Sequence, residues 1–320
     1  MTTDDGGFTD TCVVTVTEQK EPIAVTGIEL NRTALTLEEG KTQYLFAYVE
    51  PLDADEQSVL WISDDEDIAT VSSYGLVTAI KEGKTTITAT TVDGGFAASC
   101  TVTVIEKENF SYSLGDTSVE IVHYESSFLS SDYIRVITPV KNDGNVNIGL
   151  SWCSYDILTS GGDVVASLSQ YNVKNSPDIL KPGETGYFSV ILSYDEGIKE
   201  DLVAVPHPDI RNARTHDAVR YDLSNVSFSK DNYGEVFARG IVTNNNETAA
   251  SSSDKIDIFL FDKQGDFLVC LSTYLEAELA SGESRAFEAS NLRSSRLGFD
   301  VSDIGSYVAY AYREDFVYNI

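Results

Sequence analysis

Thr85-Thr86-Ile87-Thr88-Ala89-Thr90-Thr91, then Val92-Asp93-Gly94-Gly95, then Phe96-Ala97-Ala98-Ser99-Cys100-Thr101-Val102-Thr103-Val104-Ile105 is the stretch that decides the fold of this chain. In its second arm Cys100, Val102 and Val104 fall on one face, while Ser99, Thr101 and Thr103 fall on the other. A period of two is the signature of a strand buried on one side. Asp93-Gly94 between the arms suits a tight hairpin, because glycine accepts positive φ without a side-chain clash. The face assignment also places the Cys100 thiol in the core, as a small hydrophobe.

Working outward, the same text occurs earlier. Thr2-Thr3-Asp4-Asp5-Gly6-Gly7-Phe8 with Cys12-Val13-Val14-Thr15-Val16 matches Thr90-Thr91-Val92-Asp93-Gly94-Gly95-Phe96 with Cys100-Thr101-Val102-Thr103-Val104 at a spacing of 88 residues. A fixed period marks a tandem array of structural units. Residues 1–19 are therefore expected to be the closing strand of a preceding copy, and the chain a piece of a longer surface protein. Cys12 and Cys100 then lie in different domains and do not pair; with Cys153 and Cys270 they read as buried structural thiols.

Helical periodicity is almost absent, and strand-like runs recur at Val25–Leu30, Thr42–Val49, Ser58–Ile62, Ile68–Val71, Gly75–Ile80 and through the hairpin. Seven short strands with a turn every few residues predict a β-sandwich. Within them, Trp61-Ile62-Ser63-Asp64, Ile68-Ala69-Thr70-Val71-Ser72, Gly75-Leu76-Val77-Thr78-Ala79, Gly83 and Thr86-Ile87-Thr88-Ala89 resemble the bacterial immunoglobulin-like group 2 domain over residues 22–107. The resemblance implies an immunoglobulin-like sandwich used as a tandem module on exported bacterial proteins. Trp61 is expected to fill the space between the sheets, with Gly75 and Gly83 at turns.

The rest of the chain carries a second, gapped repeat. Strands ending in Asn142 and Asn244, hairpins at Gly161-Gly162-Asp163 and Gly265-Asp266, and turns at Leu180-Lys181-Pro182-Gly183-Glu184 and Leu279-Ala280-Ser281-Gly282-Glu283 correspond at offsets of 102, 103 and 99. Phe188 and Phe287 follow the turns, and Phe259-Leu260-Phe261-Asp262 resembles the FxLYD-type β-sandwich module of bacterial surface proteins, departing from it in Phe261, where Tyr is expected, and in the first block, which has Ser154-Tyr155-Asp156 in that region. Two prolines in Ala204-Val205-Pro206-His207-Pro208 predict a linker. The expected architecture is all-β, tandem immunoglobulin-like β-sandwich domains: a remnant at 1–19, a group 2 domain at 22–107, and related sandwiches at 108–205 and 206–320, joined as a rod.

Composition bounds the function. The chain has 320 residues, 42% of them apolar, with 17 Tyr and 14 Phe, enough for packed cores. Its net charge is −29, of which −13 falls on residues 1–107 and −16 on the remainder. Such a surface repels phosphate backbones and anionic headgroups, which argues against nucleic acid or lipid as partner. No apolar run reaches the ~18 residues a membrane helix needs.

Catalytic motifs are missing from the sequence. Gly40-Lys41-Thr42 and Gly83-Lys84-Thr85 echo a phosphate-binding loop, but its earlier glycine is replaced by Leu35 and Thr78. His207, Asp209, His216 and Asp217 could hold a metal but read as a polar hinge, and Asp53-Ala54-Asp55-Glu56 and Asp64-Asp65-Glu66-Asp67 read as solvated turns. Neither a metal nor a cofactor is expected. Trp152, alternating with Ile148 and Leu150, reads as core.

The binding candidate is Tyr44, Phe46 and Tyr48, which share a parity opposite to Leu45, Ala47 and Val49 and suit sugar stacking or docking of a neighbour. The expected function is a non-catalytic extracellular stalk or adhesive segment of a bacterial surface or secreted protein, with the glycan-binding module as the alternative. Its expected partners are neighbouring domains of the same chain and a cell-surface protein or glycan.

Overall fold

A computed structural model describes residues 4–6, 9–16, 18, 20–125, 130–169, 173–194, 201–213, 216–291 and 297–313. It is all-β apart from a single 3-10 turn at Val301–Asp303 among the described helical segments. The chain divides into two compact units, 1–107 and 108–320.

The first unit contains β1 (Gly27–Leu30), β2 (Ala34–Glu38), β3 (Thr42–Tyr44), β4 (Ala47–Glu50), β5 (Val59–Ser63), β6 (Ala69–Val71), β7 (Leu76–Ala79), β8 (Gly83–Thr91) and β9 (Ala97–Ile105). One sheet runs β2-β9-β8-β5, with β2 parallel to β9; the opposing strands are β3-β7-β6 and the β1-β4 ribbon. Leu35, Ile87, Cys100, Val102 and Val104 from the first sheet meet Leu45, Ala69, Val77 and Ala79 from the other side. Each buried aliphatic side chain contributes about 1.5–3 kcal/mol relative to exposure, so this face pairing holds the sandwich shut.

The motif residues are packing devices. Gly75 has φ +76°, and a Cβ there would lie 2.4 Å from the Leu45 carbonyl and 3.0 Å from the Trp61 ring, so only glycine lets the turn close over the indole. Ser63, buried at the end of the Trp61 strand, donates its hydroxyl to the Ala69 carbonyl at 2.6 Å and ties β5 to β6. The 85–105 hairpin forms as expected, with Cys100 inward.

Two expectations for this unit need correction. The run Thr42–Val49 is not one strand: it leaves β7 after Tyr44 and joins β1 from Ala47. Near the N-terminus, residues 10–16 carry no strand, and Cys12, Val14 and Val16 are exposed although their counterparts Cys100, Val102 and Val104 are buried. An isolated strand has no sheet to bury its apolar face. Thr2, Thr3, Gly7 and Phe8 of that copy lie outside the described residues.

The second unit opens with β10 (Tyr112–Leu114), β11 (Ser118–Glu125), β12 (Ser130–Asn142), β13 (Ile148–Thr159), β14 (Val164–Leu168), β15 (Lys174–Ser176), β16 (Ile179–Leu180), β17 (Thr185–Tyr194) and β18 (Leu202–Asn212). It continues with β19 (Asp222–Lys230), β20 (Val236–Thr243), β21 (Lys255–Asp262), β22 (Phe267–Tyr274), β23 (Ser284–Ser290) and β24 (Ile304–Tyr312). In its first half a sheet built on β12 and β17 faces one built on β13, β14 and β18; in its second half one six-stranded sheet runs β19-β20-β23-β22-β21-β24.

The duplicated landmarks are duplicated geometry. Asn142 and Asn244 are fully buried. Asn142 donates from Nδ2 to the carbonyls of Val146 (2.8 Å) and Leu180 (3.0 Å) and accepts from the Gly144 amide (3.0 Å). Asn244 does the same with Thr248 (2.9 Å), Leu279 (2.9 Å) and Asn246 (3.0 Å). Glu184 and Glu283 each accept a backbone amide three residues back, from Lys181 and Ala280. By hairpin position, Phe259-Leu260-Phe261-Asp262 corresponds to Asp156-Ile157-Leu158-Thr159, not to Ser154-Tyr155-Asp156.

The linker expected at Ala204–Pro208 is instead the middle of β18, which pairs with β13 from Ile148 to Thr159. The boundary placed between 205 and 206 therefore cuts a strand of the first half. Pro206 and Pro208 are tolerated because β18 has β13 as its sole neighbour among the described strands, and on an edge strand every second N–H points away from the ladder, where proline forfeits no bond.

The halves are not beads on a string. On β12, Ile134, Val136 and Val140 face their own core, while Tyr133, Arg135 and Ile137 face the second half. On β21, Ile256, Ile258 and Leu260 face inward and Asp257 and Phe259 face the first half. Strands covered on both faces lose their alternation and become continuously apolar.

Candidate functional site

Tyr44, Phe46 and Tyr48 lie on the outer face of the β3–β4 segment. They are 46%, 53% and 55% exposed, against 1% for Leu45 and 6% for Val49. Alternation survives the break between β3 and β4 because the Asn31 side chain accepts the Phe46 amide at 3.0 Å while Phe46 O receives the Asn31 amide at 3.0 Å. Those bonds hold the crossover extended and keep the three rings on one side. The Tyr44 and Phe46 rings lie 6.0 Å apart, inclined by 20°. Two nearly parallel rings, both in water, offer apolar ring surface to another planar or ring-shaped group. Glu29 is in register opposite Tyr48, and Glu50 follows it on the same face.

The acidic turns use their carboxylates internally. Asp55 accepts the Ile23 amide at 2.8 Å, Glu56 the Ser58 amide at 2.8 Å, and Asp93 the Val25 amide at 2.9 Å. Asp65 accepts the amide of Asp67 at 3.0 Å. His207 bonds Asp156 at 3.0 Å and Asp209 pairs with Arg211, both from β18, while His216 and Asp217 lie beyond the end of that strand. Among the described residues no group of three or more His, Cys, Asp or Glu side chains converges as metal ligands would.

Trp152 is 38% exposed, contrary to its expected place in the core. An irregularity between Leu150 and Trp152 inserts Ser151 and reverses the parity, so that Cys153, Tyr155 and Ile157 continue the buried face. Burial raises the thiol pKa of Cys153 to about 11 and that of Cys270 to about 12, which makes both poor nucleophiles at neutral pH.

The sequence reading missed the polar cluster between the halves of the second unit. Asp257 is fully buried, with Lys174 and Lys255 ammonium groups each 3.5 Å from its oxygens and the Tyr312 hydroxyl donating at 2.7 Å. Burial alone would raise its pKa, but Lys174, Lys255 and hydrogen bonds from Ser272 and Tyr312 hold it below the usual carboxylate value. Beside it the Tyr187 and Phe259 rings pack at 4.8 Å. A cavity of about 220 Å³ lies there, lined by Lys174, Ser189, Ile191, Phe267, Cys270 and Asn291. The available signal was the run Lys255–Phe261, apolar on both parities around one Asp.

Comparison with known proteins bears on the first unit. Residues 24–102 match the bacterial Ig-like domain (group 2). The group 2 domain is thus about a quarter of the chain, and the match does not extend into 108–320. A lacto-N-biosidase of Bifidobacterium bifidum is 44% identical over 93 residues, covering 29% of this chain and 8% of the relative. An alpha-L-arabinofuranosidase of Bifidobacterium longum is 44% identical over 82 residues, 26% of this chain and 8% of the relative. The chain therefore spans less than a tenth of these relatives. Domains 5–6 of the S-layer protein SbsC align over 82% of this chain and 99% of theirs, at 12% identity and a TM-score of 0.23, too low to carry an argument. Among the described residues no helix is long and apolar enough to cross a membrane, which says nothing of β-barrels.

Proposed function

We propose that this chain is a non-catalytic accessory segment of a bacterial surface or secreted multidomain protein, and that its group 2 domain contacts glycan through Tyr44, Phe46 and Tyr48. One observation carries the reading: three large aromatic side chains remain in water on one face while Leu45 and Val49, on the opposite parity, are buried. Leaving that much ring surface exposed costs burial energy that a core orientation would have recovered. The similarity of the domain to segments of a lacto-N-biosidase and an alpha-L-arabinofuranosidase adds support. On this reading 108–320 is a paired, FxLYD-like support, for which the duplicated asparagine corners speak.

A spacer role for the same domain is the second reading. It is favoured by the fact that Trp61, Ser63 and Gly75, its most distinctive residues, are consumed in packing. A glycan array probed with the full chain separates the two. The platform predicts a saturable hit that Tyr44→Ala/Phe46→Ala/Tyr48→Ala removes without changing the unfolding temperature; absence of any saturable hit leaves the spacer.

A further inference from the structure

We infer that the aromatic strip selects uncharged glycans and rejects acidic ones, with Glu29 and Glu50 as the discriminating side chains; this rests on the glycan reading above. Charge at the platform is one-sided. The strands that build this layer, β1, β3, β4, β6 and β7, contain no Lys or Arg, but they contain Glu29 and Glu50. Both carboxylates are exposed, and both flank the exposed Tyr48: Glu29 directly across the ladder, Glu50 two residues along the strand. Gly27, opposite Glu50, adds no side chain, and a Cβ there would meet the Glu50 carboxylate at 3.9 Å, so that carboxylate lies beside the platform and not over the core.

Lys41 and Arg32, the nearest cations in sequence, lie outside these strands. A sugar ring stacked by its C–H face on Tyr48 presents its hydroxyls sideways, where two carboxylates accept hydrogen bonds. A uronic acid or sulfate in the same pose meets like charge within a domain unit already at −13.

The test uses the full chain in calorimetric titrations at low salt, with cellohexaose, xylohexaose and a galactohexaose as neutral probes. Hexagalacturonate and a heparin hexasaccharide are the acidic ones. At least one neutral hexamer should bind, at least about tenfold more tightly than either acidic probe. Glu29→Lys/Glu50→Lys should reverse the order, and Glu29→Gln/Glu50→Gln should weaken the neutral hexamer about threefold to fivefold, the scale of exposed polar contacts. Equal or tighter binding of an acidic probe by the native chain overturns the inference. So does a selectivity ratio that neither double variant moves while Tyr44→Ala/Phe46→Ala/Tyr48→Ala still abolishes binding; that outcome leaves the glycan reading standing. Binding of none of the five probes overturns both.

Discussion

Removing the amide from one asparagine corner should destabilise the second unit as a whole and leave the first untouched. In Asn142→Ala the Leu180 carbonyl, a buried acceptor, loses its 3.0 Å donor, while the Val146 carbonyl and Gly144 amide lose partners nearer the surface. A buried group left unpaired costs about 1–3 kcal/mol and each of the others about 0.5–1 kcal/mol, so the loss should be about 2–5 kcal/mol. With a urea slope of about 3 kcal/mol/M for a unit this large, the midpoint should drop by about 1 M. Asn244→Ala removes the matching bonds to Leu279, Thr248 and Asn246 and should have a similar effect.

Because β12 and β21 are buried on both faces, either lesion should lower one shared transition. Fluorescence reports the outcome, since Trp61 lies in the first unit and Trp152 in the second. A shift below about 0.5 kcal/mol for both variants would refute the corner as a structural device. Two separated transitions within 108–320 after Asn244→Ala would refute the shared interface.

Other expectations follow from single sites. Gly75→Ala should destabilise the group 2 domain by about 2 kcal/mol or more, through positive φ and the 2.4 Å approach to the Leu45 carbonyl, read as an earlier Trp61 transition; an unchanged transition would contradict it. Asp257, with its pKa held low in the fold, stabilises the second unit above the unfolded value of ~3.9 and loses that contribution as pH falls through the folded value. The melting temperature should thus decline from pH 6 towards pH 2, and Asp257→Asn should flatten that acid limb while lowering stability at pH 7; a variant with the native slope would sink the assignment. In native protein, iodoacetamide should modify Cys12 and spare Cys100, Cys153 and Cys270, with mass spectrometry of the peptides as the check; prompt labelling of Cys270 would show that the interface opens.

Much of this was legible in residue order, for identifiable reasons. The 85–105 hairpin and the inward Cys100 depend on parity along a strand, which the chain writes directly; Tyr44, Phe46 and Tyr48 share a parity just as plainly, but the structure decided which face meets the core. β2 escaped notice because Ala34–Glu38 is short and pairs parallel with a strand far along the chain. Trp152 was misplaced because one inserted residue reverses parity, and the insertion shows only in the ladder. Pro206 and Pro208 suggested a linker because sequence does not say which strand lies at an edge.

By itself, then, the sequence determined the strand class, the hairpin, the group 2 motif and the duplicated corners, since each is a local pattern of period, turn chemistry and hydrogen-bonding side chains. The tertiary structure alone decided that the halves of 108–320 share a buried face around Asp257, and that Glu29 stands beside Tyr48. Both facts join residues distant along the chain, and such pairing is set by how sheets stack and by which register buries the most apolar surface.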